Sequence, residues 1–287
     1  GATVAQSLVS GVLEGADYAL YSLGLAFVFG ILRIINMAHG EVLVLGGYVA
    51  YWLLVRWGIG PIVALPLAAL AGGVVGQLTY RLFLRRIRDA PELNTLLLTF
   101  GIGIFLANLF LQLWSADLRS VEVDWLQRPL SIGSLYVSVG ELVAFLISIG
   151  GVLGLQAFLT RTRRGKAIRV TAIDRDSAAL AGIDVERVDR GAFVIGTMLA
   201  GVAGPLLGIL SHVSPTVGHG ITVKAFILTV LAGVGSMAGL VVSGMIIGVG
   251  EAMTVTFISS SVRELFGFAL FLLLLLVRPS GLFGERS

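Results

Sequence analysis

The composition of the chain excludes a soluble globular protein. Of its 287 residues, 56% are hydrophobic and only 13% are charged, whereas soluble domains average roughly 45–50% and 25%. The mass is 30.2 kDa and the mean hydropathy is +0.96. Because so few charges cannot cover a soluble particle of this size, most of the surface must face lipid or other membrane helices. The composition therefore predicts a polytopic membrane protein.

The charge balance and the cysteine count exclude further classes. The formal net charge is only +3, from 20 Lys and Arg against 17 Asp and Glu, so the basic pI does not indicate nucleic-acid binding. The chain has no cysteine, which excludes disulfides, thiolate metal sites and cysteine nucleophiles. The first 17 residues lack the basic region of a cleavable signal peptide and include Glu14 and Asp17. We therefore expect internal helices to direct membrane insertion.

Apolar segments predict eight or nine membrane spans in one transmembrane domain covering residues 1–287. A spanning helix needs about 20 mostly apolar residues, and shorter ones are tolerated where a helix is broken inside a bundle. The run 223–235 is too short to cross alone, and residues 3–15 could form an extra short helix. The fold class is therefore all-α, a polytopic helix bundle with some broken spans. The spans lie near residues 16–35, 38–57, 62–82, 93–114, 139–160, 190–211, 223–235, 237–257 and 262–278.

The distribution of basic residues predicts which loops face the cytoplasm. Segments 81–92 and 161–190 hold 12 of the 20 Lys and Arg residues. Cytoplasmic loops of membrane proteins carry such an excess, so we expect both segments to be cytoplasmic. Segment 115–141, which has more acidic than basic residues, is expected outside, and so is the loop at 212–224.

Two glycine-rich interruptions, at 35–48 and 231–244, each precede a new apolar helix. Asn36-Met37-Ala38 corresponds to Ser236-Met237-Ala238 at an offset of 200 residues. Broken helices at corresponding positions indicate a transport site and a pseudo-symmetric internal repeat, although chance similarity between glycine-rich helices would give the same pattern. We therefore predict a substrate pathway at these breaks, and its candidate residues are Asn36, His39, Gly40, Glu41 and Ser236.

Two carboxylates, Glu41 and Glu251, lie within apolar segments. An ionised carboxylate at the bilayer centre costs roughly 2.5–3.5 kcal/mol on insertion scales, so each must be paired, at an interface or in a wet cavity. One interpretation makes them helix caps or interfacial groups, with Arg33 as the partner of Glu41. In the other interpretation, the first break is part of the substrate path. We favour this second interpretation for Asn36 and His39 and leave the choice open for Glu251.

Metal binding and enzyme activity find little support in the sequence. His212 and His219 lie seven residues apart in a Ser-, Pro- and Gly-rich segment without the i, i+4 spacing of a zinc site, and we expect them to be solvated. No GxSxG nucleophile elbow is present. The run at Gly165 lacks the preceding glycine and the Ser or Thr of a phosphate-binding loop. We therefore expect no metal, no cofactor and no nucleotide site in this chain.

The basic segment 161–190 contains a short helix signal at 174–183, DRDSAALAGI. Its acidic start is suited to capping, its centre is alanine-rich, and its glycine can stop the helix in a left-handed conformation. A solvated connector would not need these apolar residues, so we favour docking against a partner protein. The candidate docking residues are Asp174, Ala178, Ala179, Gly182 and Ile183.

Four longer segments resemble the membrane subunits of the branched-chain amino acid ABC importers, the Liv-type permeases, and the resemblance covers nearly the whole chain. The motif NMAHGE at 36–41 is similar to the NFAHGE motif of the shorter of the two homologous permeases, with Met37 in place of Phe. The segments are GADYALYSLGLAFVFGILRIINMAHGEVLVLGGY, LNTLLLTFGIGIFLAN, RRGKAIRVTAIDRDSAALAGIDVERV and KAFILTVLAGVGSMAGLVVSGMIIGVGEA.

The resemblance implies a permease that moves substrate from a solute-binding protein to the cytoplasm of a bacterium or archaeon. It implies a second permease, two cytoplasmic ATPase subunits that bind ATP and magnesium, and an extracytoplasmic solute-binding protein. Segment 164–188 then resembles the coupling helix that docks on the ATPase. Since the family also serves urea, short amides and aromatic acids, the substrate stays open.

A stand-alone secondary transporter or channel is the alternative function, because broken helices occur there as well. Ion-driven carriers usually carry several intramembrane carboxylates as relay or ion sites. The sequence offers few of them, and the docking-like segment favours an ATPase partner. We therefore expect an importer subunit.

Overall fold

Helices form nearly all of the part that the computed structural model describes, residues 1–284. Seven of the helices are long and apolar enough to cross a membrane, which confirms an all-α polytopic fold. The first half contains α1 (Ala2–Leu32), α2 (His39–Trp57), α3 (Pro61–Leu82), a 3₁₀ turn (Leu84–Ile87), α4 (Glu92–Trp114), α5 (Asp124–Gln127) and the hairpin strands β1 (Pro129–Ile132) and β2 (Leu135–Ser138).

The second half begins with a long helix and a connector of two short helices. The nine predicted spans correspond to α1, α2, α3, α4, α6, α9, α10, α11 and α12, of which α10 is only 15 residues long. The elements are α6 (Val139–Arg161), α7 (Arg163–Ile173), α8 (Arg175–Leu180), α9 (Val185–Leu210), α10 (Gly218–Ala232), α11 (Met237–Phe257), a 3₁₀ turn (Ser260–Val262) and α12 (Leu265–Val277).

The first helix is longer than the sequence indicated. It runs from Ala2 without interruption over 31 residues, about 46 Å at 1.5 Å per residue, so the prediction of a start near residue 16 was wrong and no separate short helix precedes it. Glu14 and Asp17 interrupt the apolar sequence pattern of α1, but the helical backbone continues through them. Asp17 is buried within the bundle and accepts a hydrogen bond from Ser148 at 2.7 Å.

Glycines allow the central helices to approach at backbone distance. On α1, a Cβ added to Gly15 would lie 2.6 Å from the carbonyl oxygen of Gly244 on α11, and one added to Gly24 would lie 2.2 Å from that of Gly196 on α9. Small residues are typical of such close packing, since lipid gives no hydrophobic force to hold membrane helices together. The bundle therefore forms around α1 and α9, with α2, α3 and α11 against them.

The two predicted basic segments meet at one end of the bundle, called here the basic end. Arg85 pairs with Glu186 at 2.8 Å, and Arg175 from the connector pairs with Asp189 of α9. These contacts confirm that segments 81–92 and 161–190 share one end. The last residues of segment 161–190 form the first turns of α9, which begins at Val185.

The opposite end, called here the hairpin end, contains the amino terminus. The side chain of Gln6 donates to the carbonyl of Tyr136 in the hairpin at 2.8 Å. The amide of Arg119 donates to the carbonyl of Val213, which follows α9, at 3.0 Å. Segment 115–141 therefore lies at the end opposite the basic segments. The two-stranded hairpin within it was not anticipated from the sequence.

Candidate functional site

The first predicted break is present, one turn shifted from its expected position. The chain is non-helical over residues 33–38, and α2 begins at His39. Of the break predicted at 35–48, the part up to Ala38 is thus non-helical, whereas His39 and Gly40 already belong to α2. Arg33 adopts a left-handed conformation with φ 58° and stacks over Phe29 at 6.0 Å; it forms no ion pair with Glu41 within the described residues.

Three of the predicted pathway residues are buried and satisfied by the protein itself. The side chain of Asn36 accepts from the amide of Ala38 at 3.1 Å. Nε2 of His39 lies 2.5 Å from the carbonyl oxygen of Tyr21, and the amide of Gly40 donates to Thr222 at 2.8 Å. These hydrogen bonds hold the start of α2 against α1 and α10.

The start of α2 meets the start of α10 inside the bundle. A Cβ added to Gly40 would lie 1.7 Å from the carbonyl oxygen of Gly218, the first residue of α10. No side chain fits in that space without moving backbone. A leucine at position 40 would therefore separate the two helices, so we expect it to impair assembly as well as transport.

Glu41, at the start of α2, borders a cavity. It is 5% exposed, and its Oε2 has no hydrogen-bond partner among residues 1–284. The cavity has a volume of about 440 Å³ and is also lined by Asn108, Thr216 and His219. His219 belongs to the first turn of α10 rather than to a loop.

Ser236, the remaining predicted pathway residue, lies at the second break, directly before α11. Its hydroxyl caps α11 by accepting from the amide of Gly239 at 2.9 Å. It borders a cavity of about 130 Å³ that it shares with Leu159 and Arg169, and no residue lining this cavity also lines that of Glu41. The second break therefore exists, but the structure does not bring it together with the first.

A charged cluster, formed by Glu14, Tyr18, Lys224, Glu251 and Arg263, was not predicted as a site. Glu251 of α11 is fully buried, 3.0 Å from the ammonium of Lys224 and 3.1 Å from the guanidinium of Arg263. Arg263 also pairs with Glu14, and the hydroxyl of Tyr18 donates to Glu251 at 2.7 Å. The cluster joins α1, α10, α11 and the segment before α12. Its charges are paired with one another, because burying one of them alone would be unfavourable.

The charged cluster lies beside two adjoining cavities that extend toward the hairpin end. Their volumes are about 470 and 520 Å³, and both are lined by Glu14, Asp17, Leu210 and Arg263. Either volume falls within the roughly 300–1,000 Å³ typical of small-molecule sites. These two spaces are called here the charged cavity.

The sequence contained the signal for the charged cavity. Glu14 and Asp17 were read only as evidence against a signal peptide, and Lys224 was placed in an outside loop, whereas it lies within α10. Ionisable residues within apolar segments are functional candidates by default. Glu14, Asp17, Lys224 and Glu251 all meet that criterion, because each lies within an apolar helix.

The predicted short helix of the basic segment is present as α8. Asp174 caps it by accepting from the amides of Asp176 and Ser177, each at 3.0 Å, and Gly182 follows with φ +83°. These hydrogen bonds to the Asp174 carboxylate lower its pKa, Ser177 contributing most. Both the acidic cap and the glycine stop are therefore confirmed.

The surface around α8 is apolar and lies outside the spanning helices. Leu180 is 90% exposed and Ile173 is 85% exposed, while Ala179 and Gly182 are also exposed. Ala178, in contrast, is fully buried within the chain. It therefore supports α8 from inside and cannot touch a partner, which corrects its assignment as a docking residue.

The comparisons with known proteins agree with this architecture. Residues 7–277 match the family model of the permease component of the branched-chain amino acid transport system. The chain belongs to this family. It is 34% identical to the high-affinity branched-chain amino acid transport system permease protein LivH of Escherichia coli (strain K12), over 98% of this chain and 95% of LivH.

Two further relatives show the range of the family. BraD of Pseudomonas aeruginosa, also a high-affinity branched-chain amino acid permease, is 32% identical over 98% of this chain and 95% of its own length. FrcC of Rhizobium meliloti, a fructose import permease, is 25% identical over 75% of this chain and 61% of its own length. The chain is thus a multi-pass transport permease component.

Proposed function

We propose that this chain is a permease subunit of an ATP-driven importer that carries branched-chain or related amino acids across a bacterial or archaeal inner membrane. In this proposal it pairs with a second permease. It receives cargo from a solute-binding protein at the hairpin end, and two ATPase subunits with their ATP and magnesium dock at the basic end. The basic end then faces the cytoplasm, as its arginines favour.

The exposed apolar surface of α8 carries the proposal. Leu180 at the end of α8 and Ile173 at the end of α7 are exposed at the basic end, and large exposed apolar side chains favour a protein partner. The contact would be made by Ala179, Leu180, Gly182 and Ile183, with Asp174 holding the helix. Loop 161–190 is then the coupling element.

The cargo is inferred from the relatives. LivH and BraD, whose names specify branched-chain amino acids, cover nearly the whole chain, whereas the fructose permease covers three quarters of it. We therefore favour an aliphatic amino acid over urea, a short amide, an aromatic acid or a sugar.

A stand-alone secondary transporter is the second candidate, because the charged cluster places carboxylates among the spanning helices, as ion-driven carriers do. Glu14 and Glu251 are engaged by Arg263 and Lys224, which leaves them poorly suited to carry a proton or an ion. We therefore rank this function below the importer.

The test is co-purification of an ATPase with the tagged chain, together with leucine uptake. Leu180→Asp should lose most of the bound ATPase and of the uptake at equal membrane abundance. Leu118→Asp is the matched control, since Leu118 is 67% exposed but lies in the segment at the hairpin end. Absence of any ATPase from the purified wild-type chain, with uptake that resists ATP depletion but not an uncoupler, would establish the secondary transporter instead, whereas wild-type ATPase binding by Leu180→Asp would contradict docking at Leu180.

A further inference from the structure

Three carboxylates line the charged cavity without an ion pair among residues 1–284, namely Asp17, Glu141 and Glu264, and Asp17 is the buried one. Within the charged cluster, Glu14 and Glu251 are formally balanced by Lys224 and Arg263. Asp17 is only 3% exposed, and its hydrogen-bond partner is the hydroxyl of Ser148, which donates to Oδ1 at 2.7 Å. The charged cavity therefore has an excess of carboxylates, and the buried one has a single neutral partner.

We infer that Asp17 receives the ammonium group of an amino-acid cargo in the charged cavity and thereby favours cargo that carries an amine. This inference rests on the proposed function, and it assigns the selection of the amine to a residue of the membrane subunit. A primary ammonium supplies both the missing positive charge and donors for the free carboxylate oxygen.

The geometry of the cavity fits a zwitterion better than a metal ion. Calcium takes six to eight oxygen ligands, whereas the carboxylate of Glu14 beside Asp17 is already paired with Arg263. Lys224 and Arg263 line the same cavity, and their N–H groups that are not used in the ion pairs can donate to the carboxylate of the cargo. Apolar side chains such as Leu207 and Ile221 line the rest and suit an aliphatic side chain.

The test uses the absence of cysteine from the chain. A single cysteine at Leu210, which lines both parts of the charged cavity, is labelled with a maleimide in the importer complex purified without its binding protein. The labelling rate of this chain is measured against rising concentrations of leucine, of its 2-oxo acid, which lacks the amine, and of isopentylamine, which lacks the carboxylate.

We expect leucine to slow labelling, isopentylamine to do so more weakly, and the 2-oxo acid to have no effect at equal concentration. In the Asp17→Asn background, the leucine concentration for half-protection should rise about tenfold or more, as expected for loss of a charge-assisted hydrogen bond. Ser148→Ala removes the hydroxyl partner and leaves the carboxylate, so protection by leucine should be kept.

Equal protection by leucine and its 2-oxo acid would overturn the inference, as would absence of protection by leucine. The comparison of ligands uses an intact Asp17, so it decides the matter even if Asp17→Asn does not assemble. Leucine uptake coupled to ATP hydrolysis is measured on the same Leu210→Cys complex after reconstitution into vesicles with its binding protein added. Uptake without selective protection refutes the role of Asp17 alone, whereas absence of uptake refutes the proposed function.

Discussion

The start of α2 and the connector around α8 both contain small residues, yet the structure uses them differently. Gly40 is enclosed by the backbone of α10, and its amide donates to Thr222 within the chain. Ala179 and Gly182 are exposed and lie beside large exposed apolar side chains. Small residues therefore serve internal helix packing in the first segment and leave a surface open to a partner in the second.

The largest effect is expected where the small residue is enclosed. Gly40→Leu should lower the amount of folded protein in the membrane and destabilise it by more than about 3 kcal/mol, since the new side chain meets backbone rather than a flexible side chain. Gly101→Leu is the matched control, because a Cβ there meets nothing within 4 Å. Membrane abundance and thermal melting of the two variants provide the comparison, and equal values would contradict the tight packing at the start of α2.

A pair of neighbouring alanines separates packing from docking. Ala179→Arg should leave folding intact and release the ATPase, since an unpaired charge in a packed contact costs several kcal/mol. Ala178→Arg should instead destabilise the connector itself, because Ala178 is fully buried. Proteolysis of the connector and ATPase co-purification measure the two effects. An intact connector in Ala178→Arg would contradict the burial, and full ATPase binding by Ala179→Arg would contradict docking at this position.

A smaller effect is expected at the end of α8. Gly182→Val places a β-branched residue at φ +83°, where a side chain costs about 1–2 kcal/mol. The chain after α8 should leave at a changed angle, which weakens ATPase coupling without affecting the spans. Gly182→Asn is the control, since Asn tolerates this conformation. The ratio of transport to ATP hydrolysis in the two variants is the measurement, and identical ratios would show that this angle does not matter for coupling.

The smallest effect concerns pH. The pKa of Asp174 is lowered from its ordinary value of 3.8 by the hydrogen bonds from Ser177 and the following amides. The contribution of the Asp174 cap to the stability of α8 is therefore fully present above pH 3.8 and is lost as the pH falls through the lowered pKa. The protection of the α8 amides from hydrogen exchange, measured relative to an unfolded peptide at the same pH, should fall only under strongly acidic conditions. Asp174→Asn, which also caps helices, should remove this pH dependence. A loss of this protection near neutral pH would exclude the titration of Asp174 as its cause.

The sequence was sufficient where the physical cause was local. The capped helix 174–183 was predicted from residue types that act within one or two turns, and the structure contains both Asp174 as the cap and Gly182 as the stop. The charged cavity was not predicted, since Glu14, Lys224 and Arg263 are distant along the chain and meet only when α1, α10 and the segment before α12 pack together.

The sequence by itself determined that the chain is an all-α polytopic membrane protein, which segments share its basic end, and where its helices break, because hydropathy, charge and glycine content act segment by segment. Only the tertiary structure decided that Gly40 is a packing residue, that Ser236 lies apart from Asn36, and that Asp17 faces a cavity without a cationic partner. Burial and pairing of a polar group depend on which helices lie beside it, and that is a property of the folded bundle rather than of any one segment.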